Sequence, residues 1–113
     1  MEVRALASNQ PVAPRKARLV CEAIKGRSVV EALGLLEFMP HKTARILLKL
    51  VRSAIANAEN NHNLNPDRLT VKRAVADEAR TLKRFRARSR GRVAPQLKRY
   101  SHIEVIVEGD DRF

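Results

Sequence analysis

Between Arg80 and Tyr100 the chain carries nine Lys or Arg residues and no Asp or Glu. No other feature constrains the fold as much, because it splits the chain into two chemically different parts. Residues 1–79 hold thirteen basic and eight acidic groups, the balance of a mildly basic globular body. Residues 101–113 hold one basic and four acidic groups. Most of the net charge of +11 therefore sits in one internal stretch. A charge of that size and sign selects polyanionic partners, either nucleic acid or an anionic membrane surface. The whole chain has 113 residues, the length of one domain, and 44% hydrophobic residues supply a modest core.

The apolar pattern outlines the body. Glu2 to Ser8 is expected as a short strand with Val3, Ala5 and Ala7 on one face. Asn9-Gln10-Pro11 breaks it. Pro14 suits the first position of a helix, where a missing N–H is harmless. Ala17, Val20, Cys21 and Ile24 then recur at helical spacing, and Gly26 is placed to end that helix. Ser28-Val29-Val30-Glu31 has the spacing of a capping box, opening a second helix with Val29, Ala32, Leu33 and Leu36 inward. It ends before Pro40. A third helix runs from Pro40 to about Asn61, with Ala44, Leu47, Leu48, Val51, Ile55 and Ala58 as its apolar stripe. Lys42, Arg45, Lys49 and Arg52 form a basic stripe on another of its faces. The Asn-rich run through Asn65-Pro66-Asp67, with His62 inside it, reads as a loop. Leu69 to Asp77 is β-like, and Ile103 to Glu108 alternates with Ile103, Val105 and Val107 inward. His102 would begin that strand. Two strands flanking the basic stretch suggest a long hairpin with Gly91 near its tip. The reading is a small α+β domain with an arginine-lined arm.

The arm has a definite chemistry. Arg86, Arg88, Arg90 and Arg92 alternate with Ala87, Ser89, Gly91 and Val93. On an extended chain, alternate side chains share a face about 6.6 Å apart, close to the spacing of phosphates along a nucleic-acid strand. Guanidinium groups bind phosphate in planar, bidentate fashion. Lys83, Arg84, Lys98 and Arg99 extend the patch toward the hairpin base. A solvated basic tail is the plainer alternative, but this segment is internal and flanked by strands. Arg15, Lys16 and Arg18 open the first helix, where cations oppose the helix dipole by a few tenths to about 1 kcal/mol each. An external phosphate would reverse the sign of that term.

Other chemistries find little support. His41, His62, His102 and Cys21 have no metal-ligand spacing, so no metal or other cofactor is expected. Cys21 reads as a small core residue, and a single cysteine excludes a disulfide framework. Asp77 and Glu78 are adjacent on a strand and point to opposite faces. All four Gly are isolated, so there is no Gly-rich phosphate loop. An enzyme is not expected. Nor is a membrane partner, because no run of 18 apolar residues exists and the third helix lacks aromatic anchors. Aromatic residues make up only 4%, which argues against a base-stacking platform.

Several strings in this order resemble one family. Pro14-Arg15-Lys16-Ala17-Arg18-Leu19-Val20 is similar to its first-helix signature, and Ser53-Ala54-Ile55-Ala56-Asn57-Ala58-Glu59-Asn60-Asn61-His62 to the end of its long helix. Leu82-Lys83-Arg84, Arg88-Ser89-Arg90-Gly91-Arg92 and Lys98-Arg99-Tyr100-Ser101-His102-Ile103 resemble its hairpin. The family is that of the large-subunit ribosomal protein twenty-two. The likeness spans nearly the whole chain. Two strings depart from it: Asp77-Glu78-Ala79-Arg80 stands where the family often has Asp-Glu-Gly-Pro, and Arg86-Ala87-Arg88 where it tends to have Pro-Arg-Ala.

The resemblance implies three helices packed on a small antiparallel three-stranded sheet, with a long projecting β-hairpin. The body would comprise residues 1–79 and 100–110, and the arm about 80–99. It further implies a structural constituent of the large ribosomal subunit that binds large-subunit rRNA and supports assembly. The arm's tip, Arg88, Ser89, Arg90, Gly91 and Arg92, would line the polypeptide exit tunnel. Neighbouring ribosomal proteins and the nascent polypeptide would be its other partners, in the cytoplasm of a bacterium or in a plastid. On the residues alone, the expected RNA-binding set is Arg15, Lys16, Arg18, Lys83, Arg84, Arg86, Arg88, Arg90, Arg92, Lys98 and Arg99. The rival class is a free-standing basic nucleic-acid-binding regulator. A DNA reader would need a base-reading helix or groove wedges, whereas this arm looks suited to backbone contact.

Overall fold

The chain opens as strand β1, Glu2–Gln10, and β1 runs two residues beyond the expected Ser8. A computed structural model describes residues 2–87 and 93–109, with side chains at 2–82 and 97–109. Val3 and Ala5 point into the core, as the alternation requires. Helix α1, Pro14–Ile24, has Pro14 in its first turn and buries Pro14, Ala17, Val20, Cys21 and Ile24. Gly26 follows with φ +81°, a conformation only glycine adopts without penalty. That turn aims the next peptides at the sheet. The Gly26 N–H donates to the Val71 carbonyl at 2.8 Å, and the Val71 N–H donates to the Arg27 carbonyl at 2.8 Å.

Helix α2, Val29–Phe38, starts where the capping spacing places it: the Ser28 hydroxyl accepts from the Glu31 N–H at 3.3 Å. The Glu31 carboxylate lies 3.8 Å from Arg27, one helical turn back. Helix α3, Lys42–His62, buries Thr43, Ala44, Leu47, Leu50, Val51, Ala54 and Ala58. Leu48 and Ile55, expected within the stripe, are only partly buried at its edge. Each sits about 100° around the helix from its buried neighbour, Leu47 or Ala54. His62 belongs to the helix and not to the loop, and Asn63 ends α3 in the left-handed conformation at φ 53°.

After a short 3-10 turn at Pro66–Arg68 come strands β2, Thr70–Ala87, and β3, Val93–Glu108. The flanking strands and basic connector expected from the sequence are thus two continuous strands. Their pairing runs from Thr70 opposite Glu108 out to Ala87 opposite Val93. The sheet order is β1-β3-β2, all antiparallel. His102 lies inside β3 and does not begin it. Its Nδ1 accepts the Asn9 N–H at 3.1 Å, where β1 departs from regular register. Ladder pairing in β3 overrides the boundary that the polar residues Ser101 and His102 suggest. The register slips again between Glu78 and Thr81, so the irregularity falls at Ala79-Arg80. Gly91 and the rest of the expected tip, residues 88–92, lie outside the described residues.

All three helices cover one face of the sheet. Ile24, Leu36, Leu47 and Val51 meet Val71, Ile103, Val105 and Val107, all essentially inaccessible to water. The Ser101 hydroxyl, also buried, donates to the Val12 carbonyl at 2.6 Å.

Cys21 is part of this core. Burial raises its thiol pKa from 9.0 to about 11, with a smaller contribution from Glu22. The native state therefore holds a proton that the unfolded state releases first. Its contribution to stability is complete below pH 9 and is lost as pH rises through about 11. Its full size is on the order of 2–3 kcal/mol. The expected result is slow alkylation of the native thiol at pH 8, with denaturant midpoints falling between pH 9 and 11 for the native sequence but much less for Cys21→Ala.

Candidate nucleic-acid interface

Two helix beginnings carry cations and no acids. The first turn of α1 has no acidic residue, no side-chain cap, and exposed Arg15 and Lys16. The first turn of α3 likewise has no acidic residue and no side-chain cap, and carries Lys42. Both leave backbone N–H groups pointing outward with the positive end of the helix dipole.

The fold brings these two starts to one place. Lys16 and Leu19 from α1, Lys42 from α3 with His41 just before it, and the Pro11–Ala13 connection line a shared groove of about 610 Å³. Lys42 Nζ also donates to the Pro11 carbonyl at 3.2 Å, which fixes one wall. The apposition of Lys16 and Lys42 could not be read from their separation in the sequence. Only packing of α1 and α3 on the same sheet face creates it.

Arg18 goes elsewhere. Two residues on from Lys16 along the helix, it faces β2, and its Nε donates to the Ala76 carbonyl at 3.1 Å. It lines a separate cleft with Glu22, Lys25 and Asp77. Arg18 therefore helps to clamp α1 on the sheet, while its remaining donors stay available.

The α3 stripe continues the basic surface. Lys42, Arg45, Lys49 and Arg52 are all exposed, and at 1.5 Å per residue they span about 15 Å. Arg45 and Lys49, with Gln10 and Ser53, rim a second pocket of about 310 Å³ floored by Ala7, Ile46 and Leu50. This stripe was visible in the sequence, but its continuity with the α1 groove was not. Among the described residues, ion pairs join Arg27 to Glu31 and Lys72 to Glu2. The cations of α1 and α3 take part in neither pair.

At the root of the arm, the Arg80 guanidinium lies 5.8 Å from the centre of the Tyr100 ring. This cation–π contact joins the two ends of the acid-free stretch. The pairing of Thr81 with Arg99 is the signal that would have located it. Lys98 and Arg99 are exposed beside it. Farther out, the register sets Lys83 opposite Leu97, Arg84 opposite Gln96 and Arg86 opposite Ala94. Arg88, Ser89, Arg90, Gly91 and Arg92 lie outside the described residues.

Among the described residues, no three His, Cys, Asp or Glu side chains are grouped to hold a metal ion. No helix among them is long and apolar enough to cross a membrane.

Comparison with known proteins follows the same outline. Residues 5–108 match the family model of ribosomal protein L22p/L17e. The chain is 50% identical over 108 residues to large ribosomal subunit protein uL22 of Thermomicrobium roseum, covering 96% of this chain and 92% of that one. It is 48% identical over 107 residues to the uL22 of Dehalococcoides mccartyi, covering 95% and 98%. The uL22 of Thermoanaerobacter pseudethanolicus is 49% identical over 108 residues, covering 96% and 97%.

Proposed function

Because this chain belongs to the ribosomal protein L22p/L17e family, we propose that it is a structural, non-catalytic constituent of the large ribosomal subunit that binds large-subunit rRNA. The observation that carries the RNA contact is the groove where α1 and α3 begin. Lys16, Lys42 and two acid-free helix N-termini face it together. Phosphate oxygens satisfy such a surface without any further group. Arg15, the α3 stripe and the arm's Lys83, Arg84, Arg86, Lys98 and Arg99 continue the contact, and Arg18 adds to it beside its clamp on β2.

Contacts of this type position the protein on the RNA backbone. They support a role in subunit assembly. The arm, in this reading, runs through the RNA, and Arg88 to Arg92 line the polypeptide exit tunnel, where the nascent chain passes. Neighbouring large-subunit proteins complete the surroundings, in the ribosomes of a bacterial cytoplasm.

Sedimentation of tagged chain through a high-salt gradient tests the assignment. The expected result is stoichiometric migration with large subunits; migration with bulk nucleic acid or alone overturns it. A chain lacking residues 86–92 is expected to enter subunits and to change macrolide binding or the pausing of stalling peptides. Entry with both unchanged removes the tunnel placement. The groove has its own test. Lys16→Gln with Lys42→Gln should lower the log–log salt slope of RNA binding by about 1.5, since each phosphate contact contributes roughly 0.7–0.9. An unchanged slope returns these lysines to solvent.

A further inference from the structure

Helix α2 does not fit an RNA-bound surface. In a chain of net charge +11, its ten residues Val29–Phe38 contain no Lys or Arg and two Glu. It is also apolar on nearly every side. Val29, Ala32 and Leu36 are consumed by the core. Phe38 remains 85% exposed and Val30 61% exposed. Leu35, Phe38 and Met39, with Gly34, line a shallow groove of about 630 Å³ on this side of the molecule.

Gly34 supplies a second, independent observation. Mid-helix glycine is about 1 kcal/mol less favourable than alanine. Among the described residues nothing requires it, because beyond its own helix backbone a methyl group at Gly34 would meet no atom within 4 Å. Val30, Gly34 and Phe38 are spaced four apart, so they form one row. The glycine makes a notch between two exposed apolar side chains, which is where a partner's side chain or backbone can approach closely.

We propose that α2 is a protein-docking face whose occupant is a basic polypeptide presenting an apolar side chain to the Gly34 notch. Charge selects that occupant. Glu31 and Glu37 flank the apolar row and repel the phosphate backbone that the α1 and α3 surfaces attract, although Pro40 borders both grooves. A cationic partner is drawn in, and among the described residues Arg27, already paired with Glu31, is the only cation lining the groove. An aromatic side chain beside a small-residue notch is the composition of an interface anchor. The inference rests on the large-subunit assignment for where the partner is met.

The test uses intact large subunits containing the full chain with Phe38→p-benzoylphenylalanine, and a parallel chain with the photoreactive residue replacing Lys16. The expected result is a cross-link from position 38 to one other protein with an isoelectric point above about 9, and a cross-link from position 16 to RNA. A cross-link from position 38 to RNA, to a second copy of this chain, or to nothing overturns the proposal. The large-subunit assignment survives those outcomes, since it fails only if the chain is missing from the particles. A third chain, Phe38→Ser with Gly34→Leu, should enter particles and fold normally. It should release the cross-linked partner about tenfold more readily in a salt wash, the loss typical of a removed anchor. Unchanged retention of that partner also overturns the proposal.

Discussion

Replacing Arg86, Arg88, Arg90 and Arg92 together by Gln should weaken binding to a large-subunit RNA fragment about a thousandfold in 0.1 M salt and hardly at all near 1 M. The size follows from counterion release. Four phosphate contacts contribute about 3 to the log–log slope, and a tenfold change in salt converts that slope into about three decades of affinity. Melting of the RNA-free chain should stay within a few degrees of the native value, because the body supplies the hydrophobic cluster found among the described residues and arginine side chains are seldom fully buried. Titration at four salt concentrations, with a melting curve, measures both. Parallel binding lines, or a large fall in melting temperature, would show that the arm contributes to folding and not to electrostatic binding.

Leu47→Ala should have the opposite signature. Leu47 is completely buried on α3 within the cluster that joins helices to sheet. Truncating such a leucine costs about 2–5 kcal/mol, a large part of the 5–15 kcal/mol that holds a domain together. The melting temperature should fall on the order of 10–20 °C. The salt slope, measured below the new midpoint, should not change. Leu48→Ala is the control. Leu48 is only partly buried, and its truncation should cost about 1 kcal/mol. Equal losses at the two positions would mean that α3 packs in the rotation the sequence pattern suggested.

That rotation marks how far the sequence could be read. The apolar spacing of α3 announces a long amphipathic helix, but Leu47, Leu48, Leu50 and Val51 are all hydrophobic. Four candidates in five positions leave the facing angle to the partner surfaces. Strand ends were harder still. Ser101 and His102 look like a boundary, yet both lie within β3 because their backbone groups and side chains find partners in β1 and its following loop. The basic arm was plain from its composition, since nine cations without an acid need no structure to be noticed. The meeting of Lys16 with Lys42 was not, because it depends on two helices docking on one sheet face. The bond from Arg18 to Ala76 was hidden for the same reason, since it forms only once α1 lies on β2.

The strand order β1-β3-β2 also sets a timetable. The first strand of the chain pairs with the last. Glu2 cannot find Glu108 until the chain has been synthesised through Glu108. Until then β1 has an open edge and no neighbour in the sheet, while α1, α2 and α3 have already emerged. Helices form from local contacts, but this sheet closes only after a search over almost the full chain length, the kind of step that slows folding. A growing chain therefore holds three helices and an unpaired β1 until the β3 segment is available. The acidic residues Glu104 and Glu108 arrive with the same segment that closes the sheet. The body's final pairing waits for the segment that carries them.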